Sequence, residues 1–199
     1  MGQLSFFSAD LVPPVVDDLG GMLAAWGQIS ANPSGARLSM LVGDRVRAVA
    51  LAAECAARGI ESEIGDGETG RHLVRTVRCP ELSRLAESWT RGAVKVVPSG
   101  LVVSPGFVRI WALAAGSADD SGYLLGVDPH APDNIDALIA ACSRSGLAGS
   151  FIGHRGGGPG IRIVGHRRLA RLVDTVGTLP PGLPQQAYPV ETSATSPVP

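Results

Sequence analysis

The sequence predicts an α+β fold that consists of two similar halves in tandem, related by a pseudo-twofold axis. One pattern of helices and strands runs over residues 15–89 and returns over residues 107–177, at an offset of roughly 87 residues. Each copy places its strands in runs between helices, which is typical of α+β layers. With 199 residues, of which 45% are hydrophobic, the chain is long enough to bury a core. Corresponding pairs are Gly27 with Gly116, Leu38 with Leu124, Gly59 with Gly146, and Leu85 with Leu172.

The first half begins with a helix, because Leu19, Met22 and Trp26 recur at helical spacing. A glycine-rich turn at 65–70 lies between two strand-like runs and indicates a hairpin. Pro80 is typical of the first position of a helix. The elements predicted for this half are helix 15–28, strand 37–42, helix 45–58, strands 61–64 and 72–78, and helix 80–89.

The second half repeats this order. Gly146 and Gly177 stand where many helices end. A short extra strand after the first is compatible with both halves, so the full order is α-β-(β)-α-β-β-α twice. The elements predicted for the second half are helix 107–116, strand 123–127, helix 132–145, strands 148–152 and 161–164, and helix 167–176.

The repeat also divides the chain into segments. Residues 1–14 are an N-terminal arm, and residues 90–106 are an ordered linker between the halves, because their valines and leucines are atypical of an exposed linker. Residues 178–199 are rich in proline, serine and threonine, which predicts a disordered tail. We expect a monomer, because the two halves already supply each other's partner.

Composition and charge exclude several classes of protein. A net charge of −1 creates no global basic field that would attract nucleic acid or a membrane. No apolar run reaches the roughly 20 residues that span a bilayer, and the N-terminus has no signal-peptide pattern. Three cysteines at wide spacing indicate reduced thiols, so we expect a cytoplasmic protein. Lys95 is the only lysine among many arginines, a composition that suggests a GC-rich, for example actinobacterial, genome.

Two segments carry a resemblance to a known family. Residues 19–27, with the sequence LGGMLAAWG, and residues 108–116, with the sequence VRIWALAAG, are similar to the central helix of the LAGLIDADG homing endonucleases. The segment 114–117 and the strand 123–127 resemble the N-terminal domain of the WhiA sporulation regulators, without their helix-turn-helix domain. The resemblance implies LAGLIDADG-like halves whose central helices pack closely through small residues. These interface residues are Gly20, Gly21, Ala24, Gly27, Ala112, Ala115 and Gly116.

The resemblance also implies where catalytic acids would stand. In active members each central helix ends with an acid just before the glycine, and the two carboxylates bind the metal that activates water. Trp26 and Ala115 occupy these positions here, and neither binds metal. Asp119 and Asp120 have no acidic counterparts in the first half. We therefore expect no nuclease or other enzymatic activity, no metal and no cofactor.

The family's sheets form a saddle that sits in the DNA major groove, which implies a binding surface here. Strand alternation turns Arg75 and Arg162, which correspond in the repeat, away from the core. A second basic cluster follows His154. Such arginines either contact DNA or are solvated side chains, and Glu61 and Glu63 on a neighbouring strand count against DNA. The predicted nucleic-acid-binding residues are Arg37, Arg75, Arg155, Arg162, Arg167, Arg168 and Arg171.

The leading hypothesis is a non-catalytic regulatory module that binds double-stranded DNA, or a DNA-bound transcription regulator, through this saddle. The alternative is a protein–protein adaptor that uses the same surface. A third hypothesis, an enzyme, would be favoured by a deep pocket between the halves lined by ionisable groups. The glycine-rich loop 154–160 precedes a strand rather than a helix and is interpreted as a hairpin turn. The segment 128–130 is interpreted as a turn without a catalytic role.

Overall fold

A computed structural model describes residues 8–67 and 70–190 of the chain. Its first half opens with a short 3-10 turn at Val16–Leu19, and a second such turn at Pro80–Leu82 precedes the last helix of this half. The regular elements are α1 (Gly20–Ala24), β1 (Gln28–Asn32), β2 (Gly35–Val42), α2 (Arg45–Ala57), β3 (Ser62–Asp66), β4 (His72–Thr76) and α3 (Ser83–Trp89).

The linker forms a small hairpin of β5 (Thr90–Arg91) and β6 (Val94–Lys95), which pair antiparallel. The second half begins at Pro105, two residues before the predicted start of its first helix. Its regular elements are α4 (Pro105–Ala115), β7 (Gly116–Asp119), β8 (Gly122–Gly126), α5 (Ile135–Arg144), β9 (Ser150–Ile152), β10 (Gly160–Ile163) and α6 (His166–Val176).

Each half contains a four-stranded antiparallel sheet with the same strand arrangement. The orders are β1-β2-β4-β3 in the first half and β7-β8-β10-β9 in the second. All three pairings within each sheet are antiparallel. The inward side chains of both sheets and the helices enclose one hydrophobic core. The predicted α+β fold class is confirmed.

The extra strand of each half lies elsewhere than expected. β1 and β7 follow the central helices directly and precede β2 and β8, so the extra strand comes before the predicted first strand, not after it. The predicted helix 15–28 is correspondingly short, because the Gly27 N–H donates to the Met22 carbonyl at 2.8 Å and the chain then enters β1. β1 is mostly solvent-exposed, so its sequence carries no apolar alternation that would reveal a strand.

The central helices α1 and α4 pack against each other through glycines. A Cβ on Gly21 would lie 2.8 Å from the Trp111 amide nitrogen and closer still to the Phe107 carbonyl oxygen, so backbone meets backbone here. Gly20 faces the Phe107 and Trp89 rings, which stack with centroids 6.2 Å apart. Small residues are needed where two helix backbones approach this closely.

Not all of the predicted interface residues take part in this contact. Ala24 and Ala112 are buried in the core. Gly116 lies under the Tyr123 side chain, and Ala115 lies at the end of α4, where it faces Gly126 of β8. The positions at the helix ends therefore open towards the sheets rather than joining the two helices.

An ion pair and a hydrogen bond also connect the first half to α4 and to the segment before it, next to a buried ion pair within the first half. Arg109 of α4 donates to the Glu54 carboxylate of α2 at 2.5 Å. Arg58 of α2 pairs with the buried Asp18 at 2.8 Å, and the Ser104 hydroxyl donates to the same carboxylate. Arg58 also donates to the Glu54 carboxylate at 2.7 Å, so one network of charges joins Asp18, Arg58, Glu54 and Arg109.

The segment after α6 differs from the expected disordered tail over residues 178–190. Tyr188 is fully buried, and its hydroxyl donates to the Val176 carbonyl at 2.7 Å. Leu183 is also buried, so these two side chains anchor a segment whose prolines and polar residues predicted disorder. In the predicted arm, Asp10 accepts a hydrogen bond from the Thr178 N–H at 2.7 Å. The rest of the tail and residues 1–7 lie outside the described residues.

Among the residues that the structure describes, no helix is both long enough and apolar enough to cross a membrane.

Candidate nucleic-acid interface and central cleft

The outward faces of the two four-stranded sheets, called the saddle below, carry corresponding rows of side chains. Gln28 and Ser117 correspond, because each follows the glycine at the end of a central helix. Their partners on the neighbouring strands therefore correspond as well, strand by strand across each sheet. Arg75 corresponds to Arg162 on this basis, as the sequence predicts, but Leu124 corresponds to Ser39 and not to Leu38. The rows are Gln28–Ser39–Arg75–Glu63 in the first sheet and Ser117–Leu124–Arg162–Ser150 in the second.

Both corresponding arginines already have an acidic partner. Arg75 donates to the Glu63 carboxylate at 2.9 Å, and the two side chains are 43% and 65% exposed. Arg162 donates to the Asp119 carboxylate at 2.7 Å and to the Gly156 carbonyl at 3.1 Å. Exposed ion pairs of the first kind contribute only about 0–1 kcal/mol, so a phosphate can replace the carboxylate at little cost.

Arg37 also lies on this face, but differently. It is half-buried in β2 and stands opposite Ser30 of β1. Its Nε has no hydrogen-bond partner among the described residues. This buried nitrogen is therefore an unused hydrogen-bond donor on the saddle.

The second predicted basic cluster is divided between two parts of the fold. Arg155 lies in the turn before β10, next to Gly156, whose carbonyl accepts from Arg162. Arg167, Arg168 and Arg171 lie on α6, which packs against α4 through its buried side of Leu172 and Val176. Closeness in sequence therefore does not place these arginines on the saddle, because the chain leaves the sheet after β10 and enters the helix layer.

The ends of the two central helices open into one cleft between the sheets. Trp26 and Ala115 both line it, and its volume is about 670 Å³. The walls are formed by outward side chains of both sheets and by the segment after β8. The other lining residues that concern its chemistry are Gln28, Ser39, Leu41, Arg71, Leu73, Ser117, Leu124, Asp128, Pro129, His130 and Pro159.

A cation caps the carboxyl end of each central helix. The Lys95 ammonium donates to the Ala25 carbonyl at 3.0 Å and to the Gly27 carbonyl at 3.1 Å. Arg47 donates to the Leu113 carbonyl at 2.8 Å and to the Gly116 carbonyl at 2.6 Å. Both cations complement the negative end of a helix dipole and satisfy carbonyls that have no partner within the helix.

Asp128 connects one of these caps to the cleft. Its carboxylate forms a buried ion pair with Lys95 and lies 3.4 Å from the Gln28 amide nitrogen. The His130 N–H donates to the other carboxylate oxygen at 2.9 Å, and the His130 ring nitrogen lies 3.3 Å from that oxygen. The sequence-based interpretation of 128–130 as a turn without a catalytic role did not anticipate these contacts.

The Asp128 carboxylate is ionised in this environment. Burial favours its neutral form, but the hydrogen bonds from Lys95 and from the His130 backbone outweigh burial and hold the pKa of Asp128 below its usual value. Burial also lowers the pKa of the Lys95 ammonium, and the ion pair with Asp128 offsets part of that effect. In the sequence, the feature that pointed to a special role for Lys95 was that it is the sole lysine and lies in a valine-rich segment.

Comparisons with known proteins bear on this arrangement. No protein-family model and no curated protein matches the sequence. The structure is similar to a solved structure described as the homing endonuclease I-WcaI bound to its DNA recognition sequence. The TM-score is 0.60 at 12% sequence identity, and the match covers 95% of this chain and 88% of that chain.

The expectation that this protein is not an enzyme is contradicted by that likeness. The solved structure is that of an endonuclease, which is an enzyme, and nothing shows that the present chain is inactive. The non-acidic residues Trp26 and Ala115 were the ground for that expectation, but the cleft beside them holds Asp128, His130 and Arg71. An ionisable cleft between the halves is the feature that favours an enzyme. The likeness shows the fold of this chain, and that fold is LAGLIDADG-like.

Proposed function

We propose that this protein binds double-stranded DNA across the saddle and acts in gene regulation. The observation that carries the proposal is the strand register, which puts Arg75 and Arg162 at corresponding positions on the outward faces of two sheets that share one cleft. A duplex has two antiparallel strands and near-twofold symmetry, so paired arginines on a paired surface match its phosphates. The likeness to a structure solved with its DNA recognition sequence supports DNA as the ligand.

The charge of the saddle determines how this binding would depend on salt. Each phosphate neutralised by an arginine contributes a slope of about −0.9 to the dependence of log affinity on log salt concentration. Arg75 and Arg162 exchange a carboxylate for a phosphate, so Glu63 and Asp119 are released when DNA binds. With a net charge of −1, the protein has little long-range attraction to DNA, and we expect modest affinity and a small number of phosphate contacts.

The regulatory part of the proposal rests on the resemblance to the WhiA sporulation regulators, seen in the segment 114–117 and the strand that follows it. Strand cleavage is measured separately, by incubating the same duplexes with and without Mg²⁺.

The test is fluorescence anisotropy of labelled duplexes at several salt concentrations. The wild type is compared with Arg75→Ala/Arg162→Ala and with Arg167→Ala/Arg168→Ala, which removes two arginines from α6 outside the saddle. We expect the saddle variant to bind more weakly and to lower the salt slope by about 2, while the α6 variant binds like the wild type. An equal loss of DNA affinity in both variants, or a loss in the α6 variant alone, would show that DNA does not bind across the saddle.

One observation favours a second candidate, a protein–protein adaptor. Val77 and Val164 follow β4 and β10 directly and are 49% and 40% exposed, and Leu41 of β2 is 37% exposed. Exposed apolar side chains beside neutralised arginines are typical of a surface that binds protein. The adaptor is supported if no duplex binds at low salt and if Val77→Asp/Val164→Asp abolishes the capture of a defined partner that the wild type retains.

A further inference from the structure

We infer that the cleft at the ends of α1 and α4 is a nucleobase site, in which a planar base that carries an exocyclic amino group stacks on Trp26. This inference rests on the proposed function in one respect, since bound duplex DNA is the nearest source of such a base. The site itself is argued from the cleft alone.

Trp26 forms a fixed aromatic wall. Its indole Nε1 donates to the Leu41 carbonyl at 2.8 Å, which fixes the plane of the ring, and 37% of the residue stays exposed. Gly126 lies opposite, where a Cβ would come within 3.1 Å of the indole and 3.0 Å of Ala115. The absence of a side chain at Gly126 therefore makes the space that the indole occupies. A fixed and exposed indole provides a stacking surface without loss of side-chain entropy on binding.

The rest of the cleft suits a flat ligand. Leu41 and Leu73 come from the first sheet, and Leu124 comes from the second, so apolar side chains of both halves line the cleft together with the indole. The volume of about 670 Å³ lies within the roughly 300–1,000 Å³ typical of sites for small molecules. Enzymes and readers of extruded bases combine such stacking walls with a few hydrogen-bonding groups for the base edge.

Polar groups of the required kind lie in the same cleft. The Gln28 amide nitrogen lies 3.4 Å from the Asp128 carboxylate, which orients the amide and leaves its carbonyl oxygen as an acceptor, and Ser39 and Ser117 add a hydroxyl from each sheet. A carbonyl acceptor held in this way matches the amino groups of adenine, cytosine and guanine. Thymine has no exocyclic amino group, so we expect it to bind least.

The base has two possible sources, which share this chemistry. It is either a nucleotide extruded from a duplex that lies on the saddle, or a free nucleoside. The cleft opens between the two rows that carry Arg75 and Arg162, so a duplex bound there faces its mouth. Extrusion is least costly for an unpaired base, which gives a way to distinguish the two sources.

The first experiment uses free nucleosides and tryptophan fluorescence. Trp89 and Trp111 are 2% and 0% exposed, so a ligand in the cleft quenches Trp26 selectively. We expect adenosine or cytidine to quench this emission with saturation, and thymidine to do so at least several-fold more weakly. Ser117→Phe, which narrows the cleft from an exposed edge strand, should weaken binding roughly tenfold, while Val49→Phe on the exposed side of α2 should not.

The second experiment uses duplexes with a central adenine placed either opposite thymine or opposite an abasic site. If the base enters the cleft from DNA, the second duplex binds roughly tenfold more tightly, and Trp26→Leu removes the difference while Trp26→Phe keeps most of it. Circular dichroism of each variant establishes that it is folded.

The outcomes separate the inference from the proposed function. Nucleoside quenching with equal binding of both duplexes supports the site and assigns it to free nucleosides. Nucleoside quenching without any duplex binding keeps the site and rejects the proposed function. The inference is overturned if no nucleoside binds and the two duplexes bind equally, or if Trp26→Leu leaves a tighter abasic complex unchanged.

Discussion

Replacement of Gly21 by alanine tests whether the two halves are joined by close contact of α1 and α4. The new Cβ would lie 2.8 Å from the Trp111 amide nitrogen, about 0.6 Å short of the 3.4 Å at which ordinary contacts begin. The Phe107 carbonyl oxygen on the same helix is closer still. Both obstacles are backbone atoms, which do not rotate away as a side chain does, so the helices must move apart.

The cost follows from this geometry. A gap of about 0.5–1 Å forfeits a quarter to a half of the dispersion attraction along the contact, and overpacking of a core costs about 1–3 kcal/mol. The alanine also favours helix over glycine by up to about 1 kcal/mol. We expect a net loss of about 1–2 kcal/mol in the free energy of unfolding, which lowers the Tm of a domain of this size by about 2–8 °C.

Thermal and urea unfolding followed by circular dichroism measure this effect. Gly43→Ala is the matched control, because a Cβ there meets no atom within 4 Å and its backbone conformation is open to alanine. We expect the control to unfold at or slightly above the wild-type temperature. Equal unfolding temperatures for the two variants would refute the close helix contact.

Two further predictions concern buried ionisable groups. Asp128→Asn leaves the Lys95 ammonium, whose side chain is 9% exposed, without a counter-charge, and should cost about 3–5 kcal/mol in urea unfolding at pH 7. Since the pKa of Asp128 lies below its usual 3.8, the ion pair contributes stability above about pH 4 that is lost as the pH falls further. The difference in unfolding free energy between variant and wild type should therefore shrink at pH 3, and a constant difference would contradict this account. Burial raises the pKa of the Cys55 thiol to about 11 and that of Cys142 to about 12, so in native protein at pH 8 a thiol reagent should react with the partly exposed Cys79 first, and with all three thiols in urea. The unfolded thiols ionise near pH 9, so the free energy of unfolding should fall as the pH rises from 9 towards 11, and a flat profile there would argue against buried thiols.

Much of the fold was predictable from local patterns. The predicted helix 45–58 is α2, because Asp44 caps its first turn by accepting from the Arg47 N–H at 2.8 Å and glycine follows its end. The strand predicted at 72–78 is β4, because inward Val74 and outward Arg75 alternate as a half-buried strand requires. Patterns of this kind involve residues close together in the chain, so they can be recognised in a single sequence.

The extra strands and the tail were not predictable in this way. β1 is polar and exposed, and its pairing with β2 depends on the backbone rather than on side chains that leave a pattern. The segment 178–190 is ordered by the burial of Tyr188 against a surface that other elements create. Its many prolines predicted disorder, but the burial of two side chains, Leu183 and Tyr188, fixes its position.

The candidate site shows the same division. The correspondence of Arg75 and Arg162 followed from the repeat alone, whereas their partners Glu63 and Asp119 come from different strands of the two sheets. The cluster at the cleft joins Lys95 of the linker hairpin to Asp128 of the second half. Because these residues are far apart in the sequence, no spacing or motif indicates that they are in contact.

The linear order of residues is enough to predict that the chain is α+β and consists of two similar halves, because periodicity, helix-ending glycines and a repeat can all be recognised in it. It also located the non-acidic residues Trp26 and Ala115 at the ends of two central helices. Tertiary structure decided that Lys95 and Arg47 cap those helix ends, that Asp128 is ionised beside them, and that one cleft unites the two sheets. These features depend on burial and on contacts between distant segments, and both arise only when the two halves pack together.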